Sequence, residues 1–159
     1  MPELPEVEVI RLGLSRKIIG LKIQKIQVIS PKSFIGNPNL AEGQIVLKVW
    51  RRAKILGIEL TGHSGAKRSE AIESRSYRSA DASLQDYNKM TLLFHMKMSG
   101  QLVFEDGKRF IGGHPTEDML GTMPNPHTRV IFSFSDGSHL YFNDQRRFGW
   151  IRVIDTAKV

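Results

Sequence analysis

The 159-residue chain contains no cysteine. That absence excludes disulfide bonds, thiolate nucleophiles and zinc sites built from cysteine ligands. The chain also has no uninterrupted apolar run of about 18 residues, the length that a membrane-spanning helix requires. We therefore expect a protein without a membrane span, whose chemistry depends on groups other than thiols.

The N-terminus does not have the composition of a secretory signal. The first residues, MPELPEVEVI, place Glu3, Glu6 and Glu8 where a signal would carry Lys or Arg before an apolar stretch. We therefore expect a cytoplasmic protein. A length of 159 residues with 40% hydrophobic content fits one globular domain, residues 1–159, which we expect to be a monomer.

The net charge is strongly positive. It is +7 at pH 7 with a sequence pI near 9.9, so the protein should be attracted to polyanions, of which nucleic acid is the commonest. The excess lies in the first third of the chain, because residues 1–60 contain ten Lys or Arg and five Asp or Glu, whereas residues 91–159 contain eight and seven. Charge alone does not separate a nucleic-acid-binding protein from other basic proteins.

One amphipathic helix is predicted near the N-terminus. Pro5 suits the first turn because its φ is fixed, and Gly20 suits the end. Glu6 and Glu8 lie near the positive end of this helix, where we interpret them as complements to the helix dipole. The apolar residues that recur at helical spacing are Val7, Ile10, Leu14 and Ile18.

The rest of the chain mostly follows the two-residue period of β-strands. Residues 135–138, with the sequence SDGS, predict a hairpin turn in which Gly137 tolerates a positive φ. Repeated short strands with little helix between them favour a β-sandwich or barrel. We predict a mainly β fold with an N-terminal helix, as a two-layer β-sandwich of about eight antiparallel strands. The predicted strands are residues 21–29, 45–50, 55–60, 91–98, 101–104, 129–134, 139–142 and 150–154.

The pattern of strands breaks at residues 61–89. This segment is dominated by Ser, Ala, Arg, Lys and Glu, which is typical of a flexible, solvated insertion between two strands. Long loops also carry function in many proteins, but we prefer the interpretation as an ordinary insertion.

The N-terminus offers a nucleophile. A small second residue such as Pro2 normally permits removal of the initiator Met, which leaves a free secondary amine. An α-amine has a reference pKa near 7.7–8.0, so a useful fraction is neutral at physiological pH. Such an amine can attack a sugar C1′ or an aldehyde to form an iminium, and Glu3 is placed to protonate a leaving group. The alternative is that Pro2 and Pro5 only shape the start of the helix.

Four segments of the chain form a recognisable series. They are MPELPEVE at residues 1–8, RRAK at 51–54, HMKMSGQL at 95–102, and HTRV at 127–130 followed by NDQRRFGW at 143–150. In this order they resemble the formamidopyrimidine-DNA glycosylases, and they span nearly the whole chain outside the insertion. The resemblance implies that Pro2 is the Schiff-base nucleophile and Glu3 an acid/base catalyst. It implies that Lys54 lies near the phosphate of the damaged nucleotide.

The resemblance also implies a device for taking a base out of duplex DNA. Met98 and Arg146 would fill the void, and Phe148 would wedge into the base stack. His127 would contact DNA. The residue types fit, because Met is adaptable, Phe replaces lost stacking and Arg donates hydrogen bonds to the estranged base. Without the resemblance, Met98 and Phe148 would be interpreted as core residues, and His95 is predicted to pack inside its strand.

The implied function is base-excision DNA repair. The resemblance implies an N-glycosylase that removes oxidised purines such as 8-oxoguanine and formamidopyrimidines from damaged double-stranded DNA, with lyase cleavage of the abasic site. Such a protein would associate with the nucleoid through DNA binding. We expect no cofactor or metal in this chain, since the family's structural zinc belongs to a C-terminal four-cysteine finger.

Three features depart from the pattern of the family. Pro126 stands where the family often has Lys, which removes one candidate phosphate contact. The insertion is longer than the short turn usual at that point. The sequence ends at Val159, before the family's helix-two-turn-helix module and zinc finger, so the activity of this chain alone stays open.

Three other functions also stay open. A damaged-DNA-binding fragment without efficient turnover would keep the recognition residues and lack half of the clamp. An endonuclease VIII-like glycosylase would prefer oxidised pyrimidines, although Leu4 and the sequence at residues 146–148 favour the purine branch. A basic β-domain with no role on DNA would show no salt-dependent binding.

Overall fold

A computed structural model describes residues 3–61, 89–113 and 121–159 of the chain. The side chains of residues 111–113 lie outside this description. Pro2 and nearly all of the predicted insertion at residues 61–89 also lie outside the described residues, so the structure tests neither of those two predictions.

The described residues form one α-helix and ten β-strands. Helix α1 spans Leu4–Ile18. No helix in the described ranges is long and apolar enough to cross a membrane. The strands are β1 (Ile23–Val28), β2 (Phe34–Ile35), β3 (Val46–Arg52), β4 (Ile55–Leu60), β5 (Met90–His95), β6 (Gly100–Glu105), β7 (Arg109–Gly113), β8 (Thr128–Phe134), β9 (His139–Asp144) and β10 (Trp150–Asp155).

The predicted fold class is confirmed, with two corrections to its strands. All eight predicted strands are present, but β2 and β7 bring the number among the described residues to ten. Strand β2 has only two residues, and β7 ends in two glycines without a clear alternation of apolar and polar residues, so neither has a recognisable pattern. Strand β2 also pairs in parallel with β10, whereas the prediction had every strand antiparallel.

The strands form two sheets of five. The first sheet has the order β1-β8-β9-β6-β7, and the second has the order β2-β10-β5-β4-β3. Strands β8 and β9 pair antiparallel across the predicted SDGS turn. The chain crosses from the second sheet to the first between β5 and β6, and it returns between β9 and β10. These two crossings are the segments that carry most of the candidate site.

The main hydrophobic core joins α1 to both sheets. The four helix residues predicted at the core face are buried, each at most 1% exposed. Burying one phenylalanine side chain contributes roughly 1.5–3 kcal/mol. The largest fully buried side chains include Phe94, Phe104, Phe132, Phe134 and Phe142.

Helix α1 packs across one side of the sandwich. It contacts β3 and β7, which are edge strands of the two sheets, so it covers both edges at once. Gly13 permits this close approach, because a Cβ at that position would lie 2.2 Å from Cζ of Phe110 in β7.

An ion-pair cluster joins α1 to β3. The Glu8 carboxylate accepts hydrogen bonds from Arg11, at 2.9 and 2.6 Å, and from Nε of Arg51 at 2.8 Å. These bonds, the Arg11 bonds first, lower the pKa of Glu8 from 4.5 to about 2. The helix-dipole interpretation of Glu8 is therefore incomplete, since its carboxylate connects the helix to the sheet. Glu6 contributes at the helix start, where its Oε2 accepts a hydrogen bond from the Glu3 backbone N at 3.3 Å.

We expect Glu8→Gln to lower the melting temperature only where the native carboxylate is ionised. A carboxylate whose pKa is lowered by folding stabilises the native state above its unfolded pKa, and this contribution is lost as the pH falls through the folded pKa. The Tm difference between the parent chain and the variant should thus be full above pH 4.5 and vanish toward pH 2. Thermal unfolding followed by circular dichroism at a series of pH values measures it. A difference of the same size at neutral pH and near pH 2 would show that Glu8 acts by packing and not by charge.

Candidate active site

Strand register brings three loops to one end of the second sheet. Ile55 of β4, His95 of β5 and Trp150 of β10 lie side by side in adjacent strands. Because these strands are antiparallel, the turn before Ile55, the loop after His95 and the loop before Trp150 leave the sheet at the same end. These segments contain four of the predicted site residues, Lys54, Met98, Arg146 and Phe148.

The first sheet contributes to the same end of the sandwich. Strand β6 starts at Gly100, opposite Asp144 at the end of β9. Strand β8 starts at Thr128, opposite Asn143. His127 precedes Thr128, and its carbonyl oxygen accepts a hydrogen bond from the Asp144 backbone N at 2.9 Å. All four predicted DNA-contacting residues therefore lie at one end of the molecule.

The start of α1 meets the β3–β4 turn at this end. Oε2 of Glu3, the N-cap residue of α1, lies 3.2 Å from Nζ of Lys54. Their side chains are 63% and 32% exposed, and exposed pairs of this kind contribute only about 0–1 kcal/mol to stability. The structure thus brings together the two predicted catalytic residues that it describes. Pro2, the third, directly precedes Glu3 and lies outside the described residues.

Three backbone positions at this end are strained. Ala53, Lys97 and Arg147 have φ angles of 53°, 52° and 60°, and no other non-glycine residue in the described ranges has a positive φ. A left-handed conformation costs a non-glycine residue roughly 1–2 kcal/mol, and strain of this kind concentrates at functional sites. Each strained residue is next to a predicted site residue in the chain. Ala53 precedes Lys54, Lys97 precedes Met98, and Arg147 lies between Arg146 and Phe148.

The buried carboxylate of Asp144 holds two of these loops. Asp144 is 0% exposed. Its Oδ1 accepts hydrogen bonds from Ser99 Oγ and from the Arg146 backbone N, the latter at 3.2 Å. Its Oδ2 accepts one from the Gly149 backbone N at 2.6 Å. One carboxylate therefore fixes the loop that leads into β6 and the loop that leads into β10.

The side chains that these loops carry are exposed. Met98 is 46% exposed and Phe148 is 56% exposed, although both are large and apolar. Arg146 is exposed beside them, with Nη1 3.8 Å from Sδ of Met98. The interpretation of Met98 and Phe148 as core residues is therefore wrong. Exposed apolar side chains next to a guanidinium have the character of groups that insert into a base stack.

His127 lies next to a buried guanidinium. Its backbone N donates to Oδ1 of Asn125 at 2.8 Å. Arg129, which is 6% exposed, donates from Nε to the Asp144 carbonyl oxygen at 2.8 Å. Burial and then the charge of Arg147 lower the pKa of Arg129. Nη1 of Arg129 also donates to the Pro126 carbonyl oxygen at 3.4 Å, so Arg129 connects the end of β9 to the segment that leads to His127.

His95 is half-buried on the face of the second sheet that turns away from the core, so it is not the internal residue that the sequence predicts. Its ring lies 5.7 Å from the ring of Trp150, and its Nδ1 accepts a hydrogen bond from the Lys97 backbone N at 3.1 Å. Burial, and then the charges of Lys97 and Lys54, lower the pKa of His95. These effects favour the neutral form of the imidazole.

Sequence reasoning missed the supporting residues Asp144, Ser99 and Arg129. Asp144 gives a weak signal, because an Asp before a loop often accepts backbone N–H bonds. Its contact with Ser99 joins residues 45 positions apart, which no local pattern shows. In the described ranges, no group of three or more His, Cys, Asp or Glu residues could hold a metal ion.

The chain is similar to proteins of a known family. The family model described as the formamidopyrimidine-DNA glycosylase N-terminal domain matches residues 1–151. The chain belongs to this family. A formamidopyrimidine-DNA glycosylase of Pelotomaculum thermopropionicum is 35% identical over 162 residues, and one of Deinococcus radiodurans is 32% identical over 154 residues. The matches cover 98% and 97% of this chain but only 44% and 42% of these glycosylases, so the chain spans less than half their length.

Solved structures of glycosylases show the same fold. Lactococcus lactis Fpg in complex with abasic-site DNA has a TM-score of 0.68 at 21% identity, over 98% of this chain and 44% of that one. MutM in complex with DNA that contains carbocyclic 8-oxo-G has a TM-score of 0.68 at 24% identity, over 99% and 46%. At these identities the likeness establishes the fold.

We expect Asp144→Asn to loosen both loops. The amide keeps the size of the side chain, but it turns one acceptor oxygen into an NH₂ donor against the backbone donors of Arg146 and Gly149. Loss of hydrogen bonds to a buried charged group costs about 1.5–3 kcal/mol, which urea unfolding should show. Hydrogen exchange at the amides of Arg146 and Gly149 should accelerate. Asp106→Asn in the exposed β6–β7 turn is the matched control, and equal destabilisation by both variants would contradict the role of Asp144.

Proposed function

We propose that this domain acts in base-excision repair, as part of a DNA glycosylase with abasic-site lyase activity. The observation that carries the proposal is the 3.2 Å contact between Glu3 and Lys54. Because Glu3 directly follows Pro2 in the chain, this contact supports a site in which a carboxylate and an ammonium assist the Pro2 amine as the nucleophile. Membership in the formamidopyrimidine-DNA glycosylase family supports the same assignment.

In the proposed reaction, the Pro2 amine attacks C1′ of the damaged nucleoside. The bond between C1′ and the base breaks, and Glu3 supplies a proton to the departing base or to the opened sugar oxygen. The resulting iminium acidifies the C2′–H bond. Loss of that proton to solvent forms a C2′–C3′ double bond as the C3′–O bond breaks and the 3′-phosphate leaves. Lys54 pairs with a neighbouring phosphate and holds the sugar in place.

Damaged double-stranded DNA is the proposed partner. The exposed side chains of Met98, Arg146 and Phe148 lie at the same end as Glu3 and Lys54, where they would enter the gap left by an extruded base. Unstacking a base costs a few kcal/mol, and loops that are already ordered lose less entropy when they bind. The net charge of +7 supports contacts with phosphates.

Oxidised purines are the proposed substrates. Leu4 and the Arg-Arg-Phe sequence at residues 146–148 resemble the purine branch of these enzymes. The relatives are called formamidopyrimidine-DNA glycosylases, and the MutM complex contains a carbocyclic 8-oxo-G. A preference for oxidised pyrimidines, as in endonuclease VIII, is the alternative.

A damaged-DNA-binding fragment without efficient turnover is the second candidate. It is favoured by the exposure of Met98, Arg146 and Phe148, whose contacts with DNA would need no chemistry from Pro2. Phosphate contacts supply a large share of the affinity for DNA, and base extrusion draws on that binding free energy. Covalent trapping separates the two candidates, because only catalysis forms a Schiff base.

We expect the chain to form a borohydride-reducible adduct with abasic-site DNA. The intact mass should first show that Met1 is removed, since a retained Met1 leaves no free amine on Pro2. Pro2→Ala keeps an α-amine but makes it primary, so the yield of adduct should fall sharply. The circular dichroism spectrum should stay unchanged.

A chain with an N-terminal extension is the control for this experiment, because it has no free Pro2 amine. If it formed the adduct at the parent yield, another amine such as that of Lys54 would be the nucleophile. Binding of abasic-site DNA by the unblocked chain without any adduct would favour the binding fragment.

We expect Met98, Arg146 and Phe148 to contribute to activity mainly on substrates in which duplex DNA must be opened. Met98→Ala, Arg146→Ala and Phe148→Ala should each reduce action on a duplex lesion roughly tenfold or more, and trapping on a single-stranded abasic site much less. Since all three side chains are exposed, melting temperatures should change little. Equal losses on both substrates would contradict the proposed role in base extrusion.

A further inference from the structure

The second sheet has an outer face that lies outside the candidate active site. Cross-strand register places three rows of side chains on this side, and we call the surface the tryptophan face. The rows contain Arg52, Ile55, His95 and Trp150; then Trp50, Gly57, Leu93 and Arg152; then Lys48, Glu59, Thr91 and Ile154.

Both tryptophans of the chain lie on this face. Trp50 lies against Gly57, where a Cβ would come within 2.3 Å of its ring atoms. The absence of a side chain at Gly57 makes room for the ring, although a glycine in a strand interior lowers the stability of the strand. Trp150 lies beside His95, and both indoles stay partly exposed. The sheet thus carries two indoles on a surface that the core does not use.

A guanidinium lies over each indole. Cζ of Arg52 is 5.7 Å from the ring centroid of Trp50, and Cζ of Arg152 is 5.7 Å from that of Trp150. Cation–π contact restrains a guanidinium while its N–H groups stay available to an acceptor. The two pairs therefore present hydrogen-bond donors at two separate places on the face.

The charge of the tryptophan face is positive. Arg52, Arg152 and Lys48 are exposed, and none of them pairs with a carboxylate elsewhere in the described ranges. The carboxylate on this face, that of Glu59, lies 3.7 Å from Nζ of Lys89. Three cations are thus left available to an anionic partner.

A hollow of about 420 Å³ opens beside Trp50. This volume falls in the range of roughly 300–1,000 Å³ that is usual for small-molecule sites, so it has room for a nucleobase. Next to it, the half-buried Ile55 and Leu93 continue the apolar surface between the two indoles. The lining of the hollow includes Lys48, Arg52, Glu59 and Thr91.

We propose that the tryptophan face binds single-stranded nucleic acid. The exposed parts of the indoles and the aliphatic side chains of Ile55 and Leu93 give bases an apolar surface to pack on, while the arginines and Lys48 pair with phosphates. A duplex hides the faces of its bases, so it would gain only the electrostatic part of this binding. The combination of aromatic rings with unpaired cations is what favours a single strand over a duplex.

The tryptophan face begins at the turn that carries Lys54, since Arg52 and Ile55 flank that turn. A strand that leaves the candidate active site in this direction would continue onto the face. The binding proposed for the face needs no chemistry from Pro2, so either proposal can fail without the other.

Intrinsic fluorescence tests the proposal directly, because both tryptophans lie on the face. Titration with an undamaged oligothymidylate of about 12 nucleotides, within the roughly 4–16 that such surfaces cover, should change the tryptophan fluorescence. Arg52→Gln combined with Arg152→Gln should make the slope of log K against log salt shallower by about 1.4, since each single-strand phosphate contact contributes roughly 0.7. Trp50→Leu should weaken binding about fivefold or more.

Lys22→Gln combined with Lys25→Gln is the charge-matched control, because both lysines are exposed at the start of the first sheet. This control should keep the affinity and the salt slope of the parent chain. An equal loss in the control pair, equally tight binding of a duplex of the same length, or binding without a fluorescence change would each overturn the proposal. A chain with an N-terminal extension should bind the oligothymidylate normally while it forms no Schiff base, which separates this proposal from the catalytic one.

Discussion

One buried carboxylate holds together the end of the sandwich where the candidate site lies. Asp144 ends β9 in the first sheet, and its hydrogen-bond donors belong to the segments between β5 and β6 and between β9 and β10, where the chain crosses between sheets. A buried carboxylate is tolerated only when its oxygens are hydrogen-bonded, and here both oxygens accept from donors that the fold fixes. The contacts that satisfy Asp144 therefore also position Ser99 and Arg146, and with them the exposed side chains of Met98 and Phe148.

This anchoring explains how the strained loops persist. Lys97 and Arg147 take φ angles of 52° and 60°, at a cost of roughly 1–2 kcal/mol each. Lys97 lies two residues before Ser99, and Arg147 lies between Arg146 and Gly149. All three of these neighbours are hydrogen-bonded to the Asp144 carboxylate. Hydrogen bonds to a charged group contribute about 1.5–3 kcal/mol, which is enough to offset the strain. A loop that is strained and anchored has few other conformations, so it loses little entropy when it meets DNA.

Local pattern in the sequence was sufficient for the helix and for most strands, because their apolar residues repeat at the period of the element that buries them. It was insufficient for contacts between distant residues. Glu8 and Arg51 are 43 positions apart, and the stacking of Trp50 on Gly57 depends on the register of a hairpin. The exposure of Phe148 is a different case, since hydrophobicity alone would bury it. The resemblance to a known family indicated its exposure, whereas the role of the side chain stays a prediction.

The Glu3–Lys54 pair gives the DNA-free domain a state that differs from the one proposed for catalysis. At 3.2 Å, the Lys54 ammonium that would bind a phosphate is paired with the carboxylate of Glu3, the proposed acid/base catalyst. A pair this exposed contributes about 0–1 kcal/mol, so a DNA phosphate can take the place of the carboxylate at little cost. Under the proposed function, that exchange would release Glu3 toward the sugar only when Lys54 holds DNA. Because both side chains are exposed, the pair contributes little to the stability of the fold and is easily exchanged.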